Sequence, residues 1–76
     1  MDEITRQLGL ELKKMRQERN YSQQDIADRL SLGRSTIANY EAGTREISLS
    51  NFYKICDICN ADAYAVLEKV RKYTYK

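Results

Sequence analysis

Apolar residues recur along the chain in five blocks, each with the spacing of a helix. The first block predicts a helix from about Asp2 to Arg19. There Ile4, Leu8, Leu12 and Met15 are separated by steps of four, four and three and share one face. Leu10 lies off that stripe, and Asn20-Tyr21 interrupts it. Ser22 fits an N-cap, with Asp25 three residues on as the reciprocal carboxylate. It opens a second helix, Gln23 to Leu30, with Ile26, Ala27 and Leu30 inward. Ser31-Leu32-Gly33 is a short turn in which Leu32 plugs the angle between two helices. The third helix runs from Arg34 to about Ala42, points Ile37 and Tyr40 inward, and stops at Gly43. After the loop Thr44-Arg45-Glu46, Ser48 caps a fourth helix, Leu49 to Cys59. Its expected inward residues are Leu49, Phe52, Ile55, Cys56 and Cys59, and Asn60 ends it. Asp62 caps a fifth helix, Ala63 to about Lys72, with Val66, Leu67 and Val70 apolar. Tyr73 to Lys76 reads as a tail that either frays or docks on a partner.

The chain has no proline, and its three glycines stand at 9, 33 and 43. That economy fits helices joined by short turns. The expectation is an all-α fold of five helices in one domain spanning 1–76, with its core at 4–70 and a C-terminal tail at 71–76. A chain of 76 residues supports one modest core.

Charge sharpens the picture only slightly. Thirteen basic residues face eleven acidic ones, for a net charge of +2. The chain is no polybasic protein, so a nucleic-acid partner would require basic groups that are placed rather than abundant. No apolar run is long enough to span a membrane, and Met1-Asp2-Glu3 opens on acids with no signal core. A cytoplasmic protein without membrane contact is expected. Histidine is absent, which removes the commonest general base and metal ligand. Cys56 and Cys59 form a C-x-x-C pair, but zinc would need two further soft ligands, and both cysteines fall in an apolar helical pattern. They are expected to be core residues. No glycine-rich phosphate loop and no carboxylate pair in a predicted cleft appears. The expectation is no catalytic site, no metal and no cofactor.

The second and third helices, with their short turn, have helix-turn-helix spacing. Ala27 must be small where the helices cross, and Leu32 and Ile37 lock the angle. The outward face of the third helix is then Arg34, Ser35, Ala38 and Asn39, with Ala42 one turn on. Arg, Ser and Asn can hydrogen-bond base edges, and alanine permits close approach to a thymine methyl. A plain solvated helix face would carry more Lys and Glu.

From about Leu8 to Leu67 the chain resembles the lambda-repressor/Cro (XRE) family of helix-turn-helix regulators. The carrying residues are Leu8-Gly9, Leu12, Arg16, Ser22-Gln23, Ile26-Ala27, Leu30, Leu32, Arg34-Ser35-Thr36-Ile37, Tyr40-Glu41 and Gly43. The resemblance implies a lambda-repressor-like fold and double-stranded DNA as the partner. It gives Gln23 a phosphate contact and a bracing role at the start of the recognition helix, with Ser22 adding its hydroxyl or N–H. Arg34 and Ser35 take the first base-reading positions and Asn39 a later one. Thr36 is open to a phosphate contact or a capping bond. Thr44 and Arg45 lie in a loop that touches phosphates in relatives. Arg16 and Glu41 match a structural ion pair. For Arg34 the plainer alternative is a surface arginine bonded to Gln23. Lys13, Lys14, Arg19 and Lys54 read as solvated charges.

The chain departs from the family pattern at Ser31, where glycine is usual, at Gly33, which leaves the third helix a backbone-only cap, and at Ile47, which replaces a common proline. Members commonly pair through the region of the fifth helix, where Tyr64, Leu67, Val70 and Tyr73 offer apolar and aromatic surface. A homodimer follows, unless part of that stripe closes the core instead. In some phage repressors of the family an acid at the Asp28 position touches RNA polymerase. Placement near a helix N-terminus explains Asp28 as simply. The leading expectation is a dimeric repressor on a palindromic operator. The alternatives are an activator of the restriction–modification controller type and a protein–protein module such as an antirepressor or antitoxin component.

Overall fold

The computed structural model describes residues 2–75. Met1 and Lys76, the ends of the expected span, lie outside the described residues. Five helices follow one another: α1 (Glu3–Glu18), α2 (Gln23–Leu30), α3 (Arg34–Ala42), α4 (Leu49–Ile58) and α5 (Ala63–Thr74).

Short polar side chains start four of them. The Asp2 carboxylate accepts from the Thr5 N–H at 2.8 Å, so Asp2 is the cap of α1 rather than its first residue. Ser22 and Asp25 form the expected capping box: Ser22 Oγ accepts from Asp25 N–H at 3.0 Å, and Asp25 Oδ2 accepts from Ser22 N–H at 2.8 Å. Ser48 accepts from Asn51 N–H, and Asp62 from Tyr64 and Ala65 N–H. Each such cap contributes about 1 kcal/mol. Gly33 precedes α3 without a side-chain bond, as its sequence requires.

The helix ends share another device. Asn20, Ser31, Gly43 and Asn60 adopt positive φ, at 59°, 56°, 75° and 52°. At each, the residue's own N–H and the next one turn back to the last turn of the helix. Leu32 N–H donates to Ala27 O at 2.9 Å, and Thr44 N–H to Asn39 O at 3.0 Å. These are Schellman closures, which satisfy otherwise orphaned carbonyls. The device sets the tight angle between α2 and α3.

The core combines Leu12 and Met15 of α1, Ile26 and Ala27 of α2, Ile37 and Tyr40 of α3, Phe52, Ile55 and Cys56 of α4, Cys59, and Val66 of α5. Leu8, Leu30 and Leu32 pack against its edge. The free cysteines Cys56 and Cys59 are both buried. Burial pushes the Cys56 thiol up to about 11 and raises that of Cys59. Both behave as the core residues expected of them.

Four expectations change. Leu49 is 62% exposed and Ile4 40% exposed. Leu49 is the first residue of α4, and the buried stripe begins one turn later at Phe52. Ile4 lies in the first turn of α1, at the rim of a groove that it lines with Leu8, Tyr40 and Ile47. Val70, expected on a dimer surface, is only 4% exposed: it faces inward one turn after Val66, on a helix that packs chiefly against α1. The helix also runs on to Thr74, so most of the expected tail is helical. No helix among the described residues is long and apolar enough to cross a membrane.

Candidate nucleic-acid interface

The outward face of α3 depends on how its two ends are held. At the far end, α1 passes so close that only glycine fits. A Cβ on Gly9 would lie 2.5 Å from the Glu41 carbonyl oxygen and 2.6 Å from that of Tyr40. On the other side of the crossing, Gly43 faces the Arg6 backbone, where a Cβ would lie 2.8 Å from Cα.

The crossing is then secured by charge. Arg16 Nε donates to Glu41 Oε2 at 2.6 Å and its second terminal nitrogen to Oε1 at 3.0 Å. The remaining terminal nitrogen donates to the Tyr21 carbonyl at 2.8 Å. The side chains are 11% and 5% exposed. The hydrogen bonds to Glu41 raise the Arg16 pKa above the ordinary arginine value. One guanidinium thus joins α1, the entrance to α2 and the end of α3.

Gln23 extends this network to the surface. Its Nε2 donates to Glu41 Oε1 at 3.1 Å, and its Oε1 accepts from Arg34 at 3.0 Å. The chain of contacts runs from the half-buried Arg16 through Glu41 and Gln23 to the exposed first residue of α3. Arg34 in the free chain therefore has the bond to Gln23 that is the plainer of its two sequence readings. Its other donors stay open, as does the second hydrogen of the Gln23 amide.

The remaining expected contact residues surround this point. Ser35 and Asn39 are exposed on α3, and Thr36 and Ala38 are half-buried. Thr44 Oγ1 donates to Asn39 Oδ1 at 3.3 Å, so the loop after α3 steadies the Asn39 side chain. Arg45 lies with its guanidinium carbon 6.0 Å from the Tyr40 ring centre. Ser22, at the start of α2, uses its oxygen on Asp25 and keeps its hydroxyl hydrogen. The structure thus gathers Ser22, Gln23, Arg34 and the α3 face around one helix pair, with Thr44 and Arg45 at its far end. Tyr64, Leu67 and Tyr73 lie elsewhere, on α5, and are 77%, 40% and 60% exposed.

Two features escape sequence reasoning. Asn51 Nδ2 donates to the Tyr40 hydroxyl at 3.2 Å and so ties α4 to the inner side of α3. No periodicity marks that bond. The second is a shallow groove beside α3 formed with Arg6, Leu10 and Lys13 of α1. Its one signal was Leu10, the apolar residue off its stripe.

Comparison with known proteins agrees with this geometry. Residues 12–64 match the helix-turn-helix family. Over 62 residues the chain is 31% identical to the HTH-type transcriptional regulator ImmR of Bacillus subtilis (strain 168), covering 82% of this chain and 49% of that protein. The chain thus spans about half the length of the curated relative it matches. The restriction-modification controller protein C.AhdI from Aeromonas hydrophila superposes with a TM-score of 0.75 at 26% identity, over 82% of this chain and 94% of that one.

Proposed function

The chain belongs to the XRE-type helix-turn-helix family, and from that premise we propose that it is a transcriptional regulator that reads operator DNA with α3. The observation that carries this reading is the exposed face of α3 (Arg34, Ser35 and Asn39) in a chain whose residues 12–64 match the helix-turn-helix family. The Gln23 bond at 3.0 Å gives Arg34 a fixed origin on that face. In this reading α3 enters the major groove. Arg34 offers two donors to guanine O6 and N7, a pairing that supplies about 1–3 kcal/mol of discrimination. Ser35 and Asn39 read neighbouring base edges, and Ala38 leaves room for close approach. Ser22, Gln23, Thr36, Thr44 and Arg45 contact phosphates and set the register.

The protein acts as a homodimer on an inverted repeat, with half-sites about one DNA turn apart. Tyr64, Leu67 and Tyr73 form the pairing surface. Val70 supports that surface from beneath, because its side chain closes the monomer's own core. Occupying a promoter then blocks transcription. A second reading, activation, is favoured by the likeness to a controller protein over nearly its whole length. In that case exposed Asp28 is a candidate contact for RNA polymerase.

Selection of bound duplexes from a random DNA pool tests the proposal, with Arg34→Ala run in parallel. The expected result is an inverted repeat in which the mutant relaxes one base position per half-site. No enriched sequence at low or physiological salt would overturn DNA reading. It would favour a protein–protein module instead. A reporter placed behind the selected site separates repression from activation.

A further inference from the structure

Residues 6, 10 and 13 of α1 are spaced by four and three, so they form one stripe. That stripe does not face the core. It borders Ala38 and Ala42 of α3, and between them lies a shallow groove that reaches Gln23. Its apolar lining is Leu10 and the two alanines, and Leu10 is 48% exposed. Its basic lining is Arg6 and Lys13. An acid is present too, but Glu41 is held by Arg16 and Gln23 and is 7% exposed. Arg6 is shared with Glu3 at 2.6 Å on the surface. Among the described residues, no ion pair engages Lys13.

We infer that this groove seats the sugar–phosphate backbone of one DNA strand, with Leu10 and Ala42 against deoxyribose and Lys13 on a phosphate. The inference rests on the proposed DNA-reading role of α3. Two features favour DNA backbone over other occupants. The groove is continuous with Gln23 and with the reading face of α3, so a strand flanking the major groove would run along it. An apolar lining beside an unpaired cation also matches the alternation of sugar and phosphate. Lys13, read from the sequence as a solvated charge, becomes a phosphate contact. Arg6 adds a weaker one, because Glu3 competes for it.

The test uses the selected duplex and three variants: Lys13→Ala, Lys14→Ala and Leu10→Glu. Lys14 carries the same charge one position on and does not line the groove. For Lys13→Ala, the slope of log binding constant against log salt should shrink by about 0.9 per bound chain. Lys14→Ala should shrink it by clearly less. One phosphate whose ethylation blocks the wild type should cease to matter for Lys13→Ala. The preferred base sequence should stay unchanged, because a phosphate contact positions without specifying. Leu10→Glu should weaken binding while the protein melts as the wild type does. If Lys13→Ala and Lys14→Ala give equal slopes and the same ethylation pattern, the groove assignment is overturned and the reading role of α3 stands. If the wild type enriches no duplex, both are overturned.

Discussion

The Glu41 carbonyl oxygen stands 2.5 Å from where a methyl group on Gly9 would be. The obstacle is backbone on the α3 side and backbone on the α1 side, so no flexible side chain can yield. Gly9→Ala must therefore push α1 and α3 apart. Overpacking of this kind costs about 1–3 kcal/mol. In a domain of this size, each kcal/mol lowers Tm by about 4–8 °C. Thermal unfolding of Gly9→Ala should show that drop, and operator binding should weaken with it, since the same crossing sets the height of α3.

Ser31 makes the opposite case. Its φ of 56° places a side-chain-bearing residue in the left-handed region, which costs about 1–2 kcal/mol. Glycine removes that strain, and its greater freedom in the unfolded chain offsets part of the gain. Ser31→Gly should raise stability by about 0.5–1 kcal/mol in urea unfolding. An unchanged or lower midpoint would show that the Ser31 side chain compensates its own strain.

The Arg16–Glu41 pair should separate stability from reading. Glu41→Ala leaves a guanidinium unpaired in a site where it is only 11% exposed, and loss of one partner of a buried pair costs about 3–5 kcal/mol. A double replacement, Arg16→Met with Glu41→Leu, should recover much of that loss, because it removes both charges together. It should not recover selectivity, since Gln23 loses its acceptor and no longer fixes Arg34. Selection from a random pool with the double variant should give a relaxed position at the Arg34 base. Full selectivity would show that Gln23 holds Arg34 without help from Glu41.

Leu67 and Val70 lie three residues apart on α5 and should respond differently. Leu67→Lys places a charge on the exposed face and should shift sedimentation toward monomer, with little change in monomer stability. Val70→Ala removes buried methyl groups and should lower Tm whether or not the protein pairs. A variant at Leu67 that remains fully dimeric would place the pairing surface elsewhere.

The cysteines predict an alkaline limit. Cys56 has its pKa raised from 9.0 to about 11, because burial penalises the thiolate. A pKa raised on folding contributes stability that is full below pH 9 and is lost as pH rises through about 11. Denaturant midpoints should therefore fall over that interval, and less so in Cys56→Ala. At pH 8 a thiol reagent should label neither cysteine until the chain unfolds.

Much of this was legible from the sequence because it depends on local rules. Helical spacing, the Ser22–Asp25 box, the Ser48 and Asp62 caps and the stop at Gly43 are matters of a few adjacent residues. So is the short turn that sets α2 against α3, and with it the exposure of Arg34, Ser35 and Asn39. Periodicity marks which face is apolar, but it does not say how far a neighbouring helix extends over that face. That is why Leu49 and Ile4 were expected inside and lie outside, and why Val70 was expected on the surface and lies beneath it. The amino-acid sequence determined the five helices, the ends of the first four to within a residue, and the chemistry offered by α3. Tertiary structure decided which residues meet across the crossing of α1 and α3. The bonds from Arg16 to Arg34 and the groove at Leu10 and Lys13 exist only there, because they join groups brought together by packing rather than by spacing along the chain.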